Sequence, residues 1–167
     1  ENQSGRKISL PYGVEALRCY GGVKLQKKTE EASERTEGAQ VLNMEGDTIW
    51  ENETFRTCIF PYSGEKILEK KYTKWLDYDR IKNSLLIRNR QPGDYFVLDE
   101  TGRTQKLKQY FVNEKILKEQ RDTIPLVADG AHILWIVGYR ISAYYKVSST
   151  TKTILEIQYH GGREDNE

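Results

Sequence analysis

Two apolar runs, Leu126-Val127-Ala128 and Ile133-Leu134-Trp135-Ile136-Val137, lie on either side of the dipeptide Asp129-Gly130. Asp-Gly between hydrophobic runs is a tight-turn signal, because both residues tolerate the positive φ that a short hairpin loop requires. The first run reads as a buried strand and the second as its return strand, rich in Ile, Leu, Trp and Val. Gly138 then kinks or ends the return strand. A buried strand needs cover, which the rest of the chain must supply.

The neighbouring patterns fit that demand. Thr151–Tyr159 alternates, with Ile154, Leu155, Ile157 and Tyr159 as apolar positions, and Leu85-Leu86-Ile87 is another compact apolar run. Gln91-Pro92-Gly93-Asp94 reads as a type II turn, with Pro at its second position and Gly supplying the positive φ at its third. Tyr95–Leu98 is a strand. Leu107, Tyr110 and Phe111 recur at i, i+3 and i+4, the stripe of a short helix, with Thr104 as its expected N-cap. A second short helix is expected over Leu117–Thr123, ended by Pro125.

The N-terminal half is also strand-like. Lys7–Leu10, Val14–Tyr20 and Val23–Leu25 are expected strands, the last two turning about Gly21-Gly22. Residues 26–40 have loop composition. Strands return at 40–50 and Thr54–Tyr62, with Phe55, Ile59 and Phe60 as core candidates, and Glu65–Trp75 leans towards strand. Asp77-Tyr78-Asp79 caps a short helix or turn at Arg80–Lys82. The sum is an α+β fold, strand-rich, with small mixed or antiparallel sheets and two short helices in its C-terminal domain. The expected division is a strand-rich segment 1–76 with an acidic loop at about 26–40, a domain over 77–160, and a tail over 161–167.

Cys19 and Cys58 stand far apart with no C-x-x-C partner, which suits reduced, half-buried thiols and a cytosolic chain. No apolar run resembles a signal peptide or a membrane helix. The chain opens at Glu1 and its one methionine is Met44, as expected of a processed or partial chain. His132 and His160 cannot complete a zinc set with two scattered cysteines. No phosphate-binding GxxxxGK[ST] loop, GxGxxG fingerprint or GxSxG elbow occurs, so neither catalysis nor a cofactor is expected within these residues.

Net charge is only +1, yet the charges are segregated. Residues 30–47 are acidic, whereas residues 80–121 carry ten cations against five carboxylates. A basic stretch of this kind suits a nucleic-acid face, and it also suits an ordinary solvated surface. Arg88 and Arg90, two apart, would point the same way on a strand and form a fork for phosphates. Alternatively, Arg88 pairs with Asp94 across the turn. Lys106 and Lys108 flank a helix start, and Arg140 and Lys146 lie among Tyr139, Tyr144 and Tyr145, as in surfaces that stack bases. The candidate phosphate contacts are Arg88, Arg90, Lys106, Lys108, Lys115, Arg121, Arg140 and Lys146. An Arg88→Glu, Arg90→Glu pair is expected to weaken RNA binding with the fold intact.

Four ordered blocks carry a resemblance. Leu86-Ile87-Arg88-Asn89-Arg90-Gln91-Pro92-Gly93-Asp94, then Lys106–Ile116, then Arg121-Asp122 with Pro125-Leu126-Val127, then Ile133–Arg140 resemble the C-terminal domain of bacterial tRNA(Ile)-lysidine synthetases. Ser9–Gly13 resembles the segment before that domain more weakly. Leu117 stands where that pattern has proline, which softens the start of the second helix. The resemblance implies a parent enzyme that adenylates the wobble cytidine of the minor, CAU-anticodon tRNA(Ile) with ATP and Mg. Lysine then displaces AMP. That chemistry belongs to an N-terminal pyrophosphate-loop domain, so the resemblance leaves this chain an accessory role gripping tRNA, with no catalytic residue and no ATP site. The implied partners are tRNA(Ile), the catalytic domain and a potential second copy, with no membrane. The rival is a packing module that contacts the catalytic domain or a second copy and shows an exposed apolar patch instead of a basic one.

Overall fold

The computed structural model describes residues 7–10, 14–19, 22–27, 38–67 and 70–161. Strands β1 (Lys7–Leu10), β2 (Val14–Cys19) and β3 (Gly22–Lys27) form an antiparallel meander in which Cys19 pairs with Gly22. Most of the expected acidic loop, 28–37, lies outside the described residues, as do 1–6 and 162–167 of the expected termini.

From residue 38 the chain runs through β4 (Gln40–Val41), β5 (Gly46–Trp50), β6 (Glu53–Pro61) and β7 (Thr73–Asp77), then a 3-10 turn at Tyr78–Arg80. There follow β8 (Leu86–Arg88), β9 (Tyr95–Val97), β10 (Thr104–Lys106), α1 (Leu107–Asn113) and α2 (Lys118–Arg121). The chain closes with β11 (Leu126–Asp129), β12 (His132–Ile136), β13 (Arg140–Ile141) and β14 (Thr153–His160). One sheet is mixed, in the order β10-β9-β12-β11-β8-β4, with β13 beside β12. The other is antiparallel, in the order β5-β6-β14-β7.

The β11–β12 hairpin sits inside the mixed sheet, and Gly130 takes φ 56° in the loop. Its two faces meet different cores. Val127, Leu134 and Trp135 pack with Phe55, Leu155 and Ile157 of the four-stranded sheet. Leu126, Ala128, Ile133 and Ile136 pack with Phe96, Leu107, Tyr110 and Phe111 on the helical side. Adjacent Leu134 and Trp135 share one face because the register shifts between Val127 and Ala128, which interrupts the alternation. Behind β14, Cys58 and Trp75 direct Sγ and Nε1 at the buried Glu156 carboxylate, at 3.2 and 3.3 Å.

Three expectations change. The division at 76/77 falls inside β7, and β4 to β7 complete the sheets of the later residues: β4 pairs with β8, and β7 with β14. Among the described residues of the 65–75 segment, only Thr73–Trp75, the start of β7, is strand. Thr104 is not an N-cap. It pairs with Val97 in β10, where a β-branched side chain fits, and α1 begins after an extended Lys106, with the Leu107 N–H donating to Asp94 O at 2.9 Å.

Helix α1 ends in a Schellman motif. Ile116 N–H bonds Phe111 O at 3.0 Å, Lys115 N–H bonds Val112 O at 3.1 Å, and Ile116 and Phe111 share the helical-side core. The left-handed position usually given to glycine is held by Lys115 at φ 56°. Lys115→Gly should therefore raise stability by about 1 kcal/mol, read by chemical denaturation. A loss of similar size would show that the lysine side chain stabilises the corner.

At the opposite end of β12, His132 Nε2 lies 2.8 Å from Ser142 Oγ, which also accepts from Val97 N at 2.9 Å. Burial pushes the imidazole below its ordinary 6.5, opposed by the Asp129 carboxylate. Protons therefore bind the unfolded chain better, so this stability is present above the ordinary value and lost as pH falls through it. Denaturation midpoints should drop below about pH 6.5, and His132→Gln should flatten the drop. An unchanged pH profile in the variant would assign the effect to another group.

Candidate nucleic-acid interface

Ile87 of β8, like Leu85 just before the strand, packs in the sheet-side core, so Arg88 faces the helical side. There it is only 4% exposed. Its two terminal nitrogens donate to Asp94 Oδ2 and Oδ1 at 2.9 and 2.8 Å. They also donate to Asn89 O at 2.9 Å and to Gly130 O at 2.7 Å. Asp94 Oδ2 accepts from Gln91 N at 2.8 Å, and Gly93 adopts φ 88° in the turn. One bidentate pair thus ties the end of β8, the Gln91–Asp94 turn and the β11–β12 loop. Arg88 is not a phosphate contact, and the expected Arg88–Arg90 fork does not form, because β8 ends at Arg88. The double charge reversal would break the fold rather than test RNA binding.

Arg90 emerges beyond the strand. Its Nε donates to Asp122 Oδ1 at 2.8 Å, and its guanidinium lies 6.0 Å from the Phe111 ring centroid. With Lys106 and Lys108 it lines a recess of about 530 Å³ over the Gln91–Asp94 turn. Three cations there face Asp94, already neutralised by Arg88, and Asp122, which is largely exposed.

A second recess, about 850 Å³, lies between β7 and β13. It gathers Arg140 and Lys146 with Lys70, Lys71 and Lys74, and no carboxylate lines it among the described residues. The three β7-side lysines were absent from the sequence-derived set, because they lie before the basic 80–121 stretch, just after Glu65 and Glu69. Arg140 is fixed at this wall: its guanidinium stacks 4.8 Å from the Phe96 centroid and donates to Leu98 O at 2.9 Å.

Lys115 and Arg121 join neither recess. Lys115 is exposed at the α1 corner, and Arg121 donates from Nε to Ile116 O at 2.7 Å, closing that corner. The contact between Ser142 and His132 looks like a nucleophile with its base, but Ser142 is 1% exposed, so it clips strands together. The large exposed apolar side chains, among them Ile49, Val112 and Leu117, come from different elements. No helix among the described residues is long and apolar enough to cross a membrane.

Residues 85–158, which contain the Arg88–Asp94 clamp, the first recess and much of the second, match the family model described as the TilS substrate C-terminal domain. These residues belong to that family. The chain is 37% identical over 161 residues to a tRNA(Ile)-lysidine synthase of Caldanaerobacter subterraneus subsp. tengcongensis, covering 95% of this chain and 34% of that protein. It is 33% identical over 168 residues to that of Clostridium tetani, covering 99% and 36%. The chain thus spans about a third of the length of the curated relatives it matches. A crystal structure of a TILS C-terminal domain is similar at TM-score 0.62 and 25% identity, covering 75% of this chain and 99% of that one.

The clamp assigns unequal roles to two arginines of the TilS C-terminal domain. Arg88→Met, which strands the buried Asp94 carboxylate, should cost about 3–5 kcal/mol in denaturation. Arg90→Gln should cost no more than about 1 kcal/mol, since its partner is exposed. Equal losses would contradict the division.

Proposed function

We propose that this chain is the non-catalytic tRNA-gripping region of a tRNA(Ile)-lysidine synthase. The observation that carries the proposal is the collection of cations from distant parts of the chain into two recesses, within a fold whose relatives bear that enzyme's name. Phosphate contacts position an RNA without reading its sequence, so the proposed task is orientation. The reaction itself, adenylation of the wobble cytidine with ATP and Mg and displacement of AMP by lysine, is proposed to lie in a catalytic domain outside these residues. The site of action is then the cytoplasm, where tRNA is modified.

Lys106 and Lys108 are exposed and hold no part of the clamp, so they test the grip without threatening the fold. The chain should bind minor tRNA(Ile) and a control tRNA with strong salt dependence, log K falling by about 0.9 per phosphate contact for each decade of salt. Lys106→Gln with Lys108→Gln should weaken both complexes alike and reduce the salt slope by about one per lysine. Undiminished binding in a folded double variant would remove the first recess from the interface. No binding of either tRNA at low salt would overturn the proposed function.

A further inference from the structure

We propose that the recess between β7 and β13 receives an unpaired nucleotide of the bound RNA, with its phosphates on Lys71, Arg140 and Lys146 and its base against Tyr139. This rests on the RNA-binding reading above and adds a second site with a different preference. Tyr139 is the distinguishing feature. It stands on the β12–β13 turn, where Gly138 takes φ 86° and Tyr139 N–H bonds Ile136 O at 2.9 Å. The backbone is therefore held while the side chain remains 41% exposed at the recess wall. A large aromatic surface left open among five cations is poor burial but a good stacking platform.

The cations fit the same occupant. Arg140 is held by Leu98 O, Ile141 O and the Phe96 face, so it presents a fixed guanidinium. Lys71 and Lys146 are exposed point charges on the two sides, and Lys71 Nζ lies 5.3 Å from the Tyr72 ring centroid. A volume of about 850 Å³ is ample for one nucleotide. A base paired within a duplex cannot offer its face to Tyr139, because its neighbours in the stack cover it. The combination of aromatic surface and phosphate charge therefore favours a single strand over a duplex. The first recess is lined by cations and turn backbone with no aromatic ring, and carries no such preference.

The test uses the whole chain with two RNA probes, a blunt two-stranded duplex stem with no loop and the same stem with a short unpaired tail. The tailed probe should bind several-fold tighter. Tyr139→Ala should cost the tailed probe roughly five- to hundredfold and leave the blunt stem unchanged. Tyr139→Phe should keep the preference, and Lys146→Gln should lower the salt slope for the tailed probe alone. Equal binding of both probes, or a preference that survives Tyr139→Ala, would overturn this site while leaving the RNA-binding reading in place. Failure of both probes to bind at low salt would overturn both.

Discussion

The Arg88–Asp94 pair is the contact on which the rest of this surface depends. A guanidinium and a carboxylate are both removed from water, an arrangement that is tolerable only when the remaining donors and acceptors are also satisfied. Asn89 O, Gly130 O and Gln91 N–H do so. The consequence is geometric. The turn that leads from β8 to β9 cannot move independently of the β11–β12 loop, and the backbone of Asp94 in turn receives the first N–H of α1. The floor of the first recess is therefore rigid, although it consists of loop residues.

Around that clamp the fold sorts its charges by depth. Arg88 is spent inside, Arg90 is held at the rim by Asp122, Arg121 is held away from both recesses by Ile116 O, and Lys106, Lys108 and Lys146 remain in solvent. A near-neutral chain thereby presents local basic recesses: among the described residues no carboxylate lines the second, and Asp94 and Asp122 in the first are paired with Arg88 and Arg90. Exposed lysines attract a polyanion at long range and are screened by salt, whereas fixed arginines such as Arg140 hold an orientation. Two separated recesses with different linings can grip one RNA at two places, which sets its direction as well as its affinity.

Much of this fold was legible in the sequence. Asp129-Gly130 marked the central hairpin, Pro92-Gly93 the type II turn, and Leu107, Tyr110 and Phe111 the buried face of α1. Local pattern failed where tertiary pairing decided the outcome. Thr104 looked like a cap but was recruited by β9, and the 76/77 division was erased because β14 needs β7 beside it. The same limit applies to the charges. Spacing along β8 suggested that Arg88 and Arg90 act together, but the strand ends between them and Asp94 claims the first. Lys70, Lys71 and Lys74 gain meaning only when β13 brings Arg140 near. Linear charge counts cannot distinguish a spent cation from an available one.

The central claim is that RNA is held by the two basic recesses and not by the scattered apolar side chains. Backbone amide NMR of the chain, titrated with minor tRNA(Ile), addresses it residue by residue. The predicted result is perturbation of Gln91 and Gly93 with Lys106 and Lys108 at the first recess, and of Lys71, Tyr139 and Lys146 at the second, with Ile49, Val112 and Leu117 unmoved. Perturbation confined to Ile49, Val112 and Leu117, or none at saturating tRNA, would contradict the account.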